Sequence, residues 1–215
     1  MRKQDLFPRQ FQCDCERLYE KVIAPTLAAL PPLPRSTVAE FGSVSEFLDA
    51  CTTSISNMLA YEARRSFALT LGGLFERQLR IWARSHSAAP DELNHFNPML
   101  KAAARRHGID LGRYDVGRDI RELYLLSNAV RHGDGSGTNE LRKTSKHLWP
   151  ELAPEAHAQC EAMSIWSEAI QLTDDDLRRY AAAVCRFWGL ADREQGAMID
   201  ARTPSEFFSF GCTSS

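Results

Sequence analysis

Apolar residues along this chain recur every three to four positions, the spacing of one face of an α-helix. No stretch alternates with the period of two that marks a half-buried strand. Leu18, Val22 and Leu30 mark a first amphipathic helix after Cys15. Pro25 must kink or interrupt it, because proline lacks the N–H and its ring crowds the preceding turn. PPLPRSTVAEFGS, from Pro31 to Ser43, is a breaker-rich connector. Ser43 or Ser45 then caps a very long helix running to about His86, with Phe47, Leu48, Cys51, Ile55, Leu59, Phe67, Leu71, Leu74, Phe75, Leu79 and Trp82 in a three-four rhythm. Gly72 and Gly73 fall inside it. Each costs up to about 1 kcal/mol against alanine in a helix, so either another helix packs closely there or the helix breaks.

Pro90 opens a further helical stretch that Gly108 ends, with Pro98 able to restrict it to its second half. Asp115 is the expected cap of VGRDIRELYLLSNAVRH, which Gly133 stops. A loop is expected from Gly133 to about Pro154, and a helix from about Glu155 to Ile170. Thr173 then caps a final helix whose first turn places Asp174, Asp175 and Asp176 at the positive end of the dipole. Its stripe is Leu177, Tyr180, Ala181, Val184 and Phe187, with Trp188. Phe207, Phe208 and Phe210 in the tail are expected to dock it in part. The reading is all-α, without a repeat or a low-complexity tract.

A length of 215 residues with 44% hydrophobic residues suits one globular domain with a real core. The formal charge of −2 and pI near 6.3 exclude nucleic-acid binding by bulk positive charge, but leave room for a local basic cleft. No run approaches the roughly 20 apolar residues that cross a bilayer. The charged N-terminus, MRKQDLFPRQFQCDCERL, has no apolar signal segment, so a cytoplasmic protein without membrane association is expected. Six cysteines at 13, 15, 51, 160, 185 and 212 read as small hydrophobes in a reducing compartment. Cys13 and Cys15 lack the further ligands of a zinc site, so neither a metal nor another cofactor is expected.

The chemistry concentrates in LLSNAVRHGDG, from Leu125 to Gly135. Asn128 and His132 lie one turn apart on one helical face, with Arg131 beside them at the rim. A histidine in the last turn meets the negative end of the helix dipole, and the glycines leave backbone room for a ligand. An amide can position a hydroxyl or phosphate, a guanidinium can neutralise a phosphate, and an imidazole can move a proton near neutral pH. The same residues also read as ordinary C-capping.

LLSNAVRHG resembles the asparagine-containing box of sensor histidine kinases and related ATPases. That family also needs an Asp-x-Gly-x-Gly box beyond a strand and a later Gly-rich lid, and neither follows here. A weaker reading keeps nucleotide binding at the Gly-rich stretch itself. SNAVRHG is also similar to the Arg-Asn-x3-His signature of HEPN domains, matching in Asn128, His132 and Gly133, with Ser127 where the arginine stands. The resemblance spans roughly Ser43 to Asp192, through LGGLFERQLRIWA, the motif helix and LTDDDLRRYAAAVCRFWGL.

That resemblance implies an up-and-down HEPN-like helical bundle over 43–192, an N-terminal helix and Pro-rich connector over 1–42, and a tail over 193–215. It implies an RNA-directed protein, a homodimer, and a metal-independent ribonuclease of toxin or phage-defence type with a partner such as an antitoxin. His132 would be the acid/base, Arg131 the phosphate-charge stabiliser in place of the arginine missing at Ser127, and Asn128 the positioner. Arg142, Lys143, Lys146 and His147 could clamp an RNA backbone, with Trp149 stacking on a base. Glu76, Arg77 and Arg80 share one side of the long helix, and a Glu76–Arg80 pair could hold the bundle or orient His132. Arg64 and Arg65, and Arg105, Arg106 and His107, read as exposed basic clusters. The alternative from a different class is a non-catalytic helical module for dimerisation or for regulating a protein partner.

Overall fold

The computed structural model describes residues 6–31, 33, 42–149 and 154–192, and these are helical throughout, with no strand among them. The connector between Leu33 and Gly42, Pro150 and the Phe207–Phe210 tail lie outside the described residues.

The first helix begins earlier than its apolar spacing suggested. Phe7–Leu18 (α1) passes through a π-helical turn, Tyr19–Ile23, into Ala24–Ala29 (α2). The wider turn, closed by a bond from the Ala24 N–H to the Tyr19 carbonyl, admits Pro25 without ending the helix. Its buried face is Phe11, Cys15, Tyr19, Ile23 and Leu27, whereas Val22 is exposed. This face joins the same core as the later helices, so the segment is no appendage.

Val44–Ser85 (α3) is continuous for 42 residues, about 63 Å at 1.5 Å per residue. Ser43 caps it by accepting the Glu46 N–H, and Glu46 accepts the Gly42 N–H in return. The apolar rhythm runs the whole length, but burial begins only at Ala60. Beyond it Arg64, Ala68, Leu71, Phe75, Leu79 and Trp82 face inward. A 3-10 turn, Pro90–Leu93, leads to Phe96–His107 (α4), with Pro98 accommodated in its first turn. Gly108 closes α4 at φ 67°.

Val116–His132 (α5) and Asp174–Ala191 (α8) form the centre. On α5 only isolated positions reach solvent before its last turn, and α8 buries every residue from Ala181 to Trp188. Thr173 caps α8 through a reciprocal box with Asp176. Asp115 precedes α5 but makes no capping bond, and both Tyr114 and Asp115 take left-handed backbone angles.

Paired residues give the directions. Arg64 meets Asp174, and Phe75 meets Phe187, so α3 and α8 run the same way. Ser127 meets Ala68 and Glu122 meets Arg179, so α5 runs against both. Phe11 packs on Trp188 and Arg9 pairs with Asp192, placing α1 antiparallel to α8.

Two expected elements differ. The stretch after Gly133, expected as a loop, contains Ser136–Thr144 (α6), which folds back along α5. The helix expected to reach Ile170 is Pro154–Met163 (α7), followed by a left-handed Ser164 and a 3-10 turn, Trp166–Ala169.

Candidate functional site

The end of α5 is built by packing on three sides. Ser127 is buried and its hydroxyl donates to the Ala68 carbonyl of α3 at 3.2 Å. Opposite it, a Cβ at Gly72 would stand 2.0 Å from the Ser127 Oγ, so the two helices approach here as closely as a glycine allows. Position 127 therefore faces the helix interface and has no room for an arginine. Gly73, the other glycine of α3, lies under the Arg131 guanidinium, 3.9 Å from where a Cβ would be.

Asn128 is half-buried on the neighbouring face, against Gly137 of α6. Arg131 and His132 are exposed in the last turn. Among the described residues neither side chain makes a hydrogen bond or an ion pair. Gly133 ends α5 at φ 75° and ψ −149°, a region suited to glycine. Thr138 donates to its carbonyl. Asp134 then accepts from the Ser167 N–H and hydroxyl, and the buried Arg65 donates to the Ser167 carbonyl. The loop after His132 is thus tied to the 3-10 turn before α8. The N-terminus of α6 starts two residues later at Gly135 with no side-chain cap. Free N–H groups at a helix start carry partial positive charge. They lie next in the chain to one guanidinium and one imidazole, and this junction can receive an anionic group.

The other candidates do not all gather there. Because α6 runs back along α5, Lys143, Lys146 and His147 reach the level of Glu122, ten residues or about 15 Å along the axis from His132. Lys143 and Lys146 are exposed. Arg142 lies over the Trp166 ring, its Cζ 3.4 Å from the centroid, a cation–π contact within the fold. Trp149 is half-buried, and its indole N–H donates to the Trp166 carbonyl. Arg80 pairs with Glu76 and donates to the Leu93 carbonyl, so this pair holds the turn before α4 and is not bonded to His132. Arg64 and Arg65, read as surface, are buried: Arg64 reaches Asp174 and Ala60, and Arg65 reaches Tyr61 and Ser167. Their signal was present, since Arg64 stands on the same three-four rhythm as Ala60, Ala68 and Leu71.

A second cluster escaped the sequence reading. The Glu122 carboxylate is buried and accepts from Ser145 and Tyr180 at 2.5 and 2.6 Å, and from Arg179 at 2.5 Å. Arg179 also donates to Asp119 and Asp176, and His147 Nε2 stands 3.4 Å from Glu122 and from Asp176. Burial pushes the Glu122 carboxyl up, but its hydrogen bonds outweigh that and hold it below the usual carboxylate range. Asp176 behaves alike, with bonds from Thr173 and Arg179 overcoming burial. Burial and the Glu122 charge drive the Tyr180 hydroxyl far up, so it stays a neutral donor. The carboxylates are met by donors from within the cluster, which ties α5 to α8 and to Ser145 at the end of α6. The acids Asp119 and Glu122, set among Ile120, Leu123 and Leu126, were its sequence signal. Glu122 and Ser145 also reach the wall of a cavity of about 460 Å³ beside α4, floored by Leu100, Leu111 and Leu125. Among the described residues no cluster of three or more acids, histidines or cysteines is arranged to hold a metal. No described helix is long and apolar enough to cross a membrane.

In comparisons with known proteins, no family model, curated protein or solved structure matches the chain.

Proposed function

We propose that this is an RNA-directed protein of HEPN-like type, whose α5–α6 junction engages a phosphodiester. The observation that carries the reading is the exposure of Arg131 and His132 side by side, neither used by the fold, on a loop anchored through Asp134 and Ser167. Groups left unpaired on a held backbone are available to a ligand without prior rearrangement. Arg131 supplies the phosphate charge that Ser127 cannot, and Asn128 lies one turn below His132. In the catalytic version His132 takes the proton of a ribose 2′-hydroxyl as its oxygen attacks phosphorus. The cyclic phosphate forms, and the departing 5′-oxygen takes a proton from solvent. That step needs no metal.

The test is incubation of the full chain with total RNA in EDTA, beside His132→Ala and Arg131→Ala. Cleavage that persists in EDTA and is lost in His132→Ala supports the ribonuclease. Binding without cleavage, weakened in Arg131→Ala, supports an RNA-binding protein. Absence of both sinks the RNA reading and favours the second one, a non-catalytic helical module. That reading draws on Ser127, which serves helix packing where the ribonuclease signature has its arginine.

A further inference from the structure

The cavity beside α4 shares no lining residue with the α5–α6 junction, and its walls have a chemistry of their own. Its volume of about 460 Å³ lies within the range of about 300–1,000 Å³ that small-molecule pockets occupy. Leu100 of α4, Leu111 of the turn that follows and Leu125 of α5 make an aliphatic floor, and no aromatic ring among the described residues lines it. Leu111 is held from behind. Its carbonyl accepts the Gly117 N–H at 2.8 Å, and a Cβ at Gly117 would stand 2.9 Å from the Leu111 Cβ.

Most polar groups of the wall are engaged within the fold. Glu122 accepts from Ser145, Tyr180 and Arg179. Thr144 donates to the Glu140 carbonyl, Arg121 pairs with the Glu140 carboxylate, and Arg118 pairs with Asp115 and Asp119. Asn97 and Lys101 differ. They stand one turn apart on α4, and among the described residues neither side chain makes a hydrogen bond or an ion pair. An amide and an ammonium side by side thus present several donors and one uncompensated positive charge beside an aliphatic floor.

We propose that this cavity binds an aliphatic monocarboxylate of medium chain length, its carboxylate on Lys101 and Asn97 and its chain over Leu100, Leu111 and Leu125. The charge count selects the class. One unpaired ammonium matches one carboxylate. A nucleotide needs several charges met and a ring to stack on, but both arginines of the wall already have acid partners. A cationic ligand finds only Glu122, whose carboxylate is taken by three donors. Binding here stands whether or not the α5–α6 junction takes RNA.

Isothermal titration calorimetry of the full chain with decanoate, at neutral pH and low ionic strength, tests it. The expected result is saturable binding of one molecule per chain. Affinity should rise by up to about fourfold per methylene from hexanoate to decanoate, the worth of one buried methylene. Lys101→Glu should weaken decanoate by about tenfold or more, while Lys101→Arg keeps it. Lys21→Glu makes the same change of charge at an exposed site on another helix and should leave the affinity within about threefold. Circular dichroism should be the same for all three variants, because Lys101 and Lys21 are exposed. Decylamine, a similar chain with a positive head, should not bind. Absence of saturable decanoate binding overturns the proposal. So does decanoate binding that Lys101→Glu leaves unchanged, or decylamine binding of equal strength.

Discussion

Gly72 of α3 and Ser127 of α5 touch so closely that a methyl on the glycine would stand 2.0 Å from the serine oxygen. One residue away, a methyl on Gly73 would meet only the end of the Arg131 side chain, at 3.9 Å. The pair separates two effects that share one sequence context.

Gly72→Ala is expected to destabilise by about 1–3 kcal/mol, because the added methyl meets the buried Ser127 side chain, whose Oγ and Cβ stand 2.0 and 3.0 Å away. Gly73→Ala is expected to stabilise by up to about 1 kcal/mol through lower unfolded-state entropy and better helix propensity. Urea denaturation of the two variants checks both signs. Ser127→Arg, which writes the ribonuclease arginine back into the motif, should lose more stability than Gly72→Ala and gain no activity. A stable Ser127→Arg would mean that the α3–α5 interface has room for the longer side chain.

Glu122 accepts three hydrogen bonds in a buried site, and its removal leaves Tyr180 and Ser145 without their acceptor, whereas Arg179 keeps Asp119 and Asp176. Glu122→Ala is expected to cost about 1–3 kcal/mol, the range for leaving buried donors unsatisfied. The depressed carboxyls of Glu122 and Asp176 also set a pH dependence. Each binds protons less readily folded than unfolded. Their contribution is therefore complete above the ordinary carboxylate range, near pH 4, and is lost as pH falls through the lower folded value. Urea midpoints from pH 7 to pH 3 should fall at the acid end, and the fall should be shallower in Glu122→Gln.

Gln12 of α1 is fully buried, and among the described residues neither end of its amide has a partner. An unpaired buried amide costs about 1–3 kcal/mol. Gln12→Met, similar in volume and without the amide, should raise the melting temperature by a few degrees. A lower melting temperature would show that the amide is satisfied in solution.

Much of this was legible along the chain, because helix formation depends on near neighbours. The cap at Thr173, a cap at Ser43 or Ser45, the stop at Gly133, the stripe of α8, and either a close approach or a break at Gly72 and Gly73 all follow from spacing and from residue types with known backbone preferences. Pro25 was legible as a disturbance, although a π-helical turn absorbed it. The sequence also determined that Asn128, Arg131 and His132 share the end of one helix.

Which faces meet was decided only in three dimensions. The rhythm of α3 is the same before and after Ala60, yet only the second half is covered, since burial depends on what arrives from elsewhere in the chain. Arg64 and Arg65 look like surface until Asp174 and Ser167, more than a hundred residues later, are brought to them. Lys143, Lys146 and His147 follow His132 closely in sequence but are carried about 15 Å away when α6 turns back along α5. Asp119 and Glu122 come from α5, Asp176 and Arg179 from α8, and Ser145 from the end of α6, and no local pattern records that their charges and hydrogen bonds close on one another. Local propensity determines where a helix begins and ends, whereas its partners are chosen by the burial and electrostatics of the assembled core.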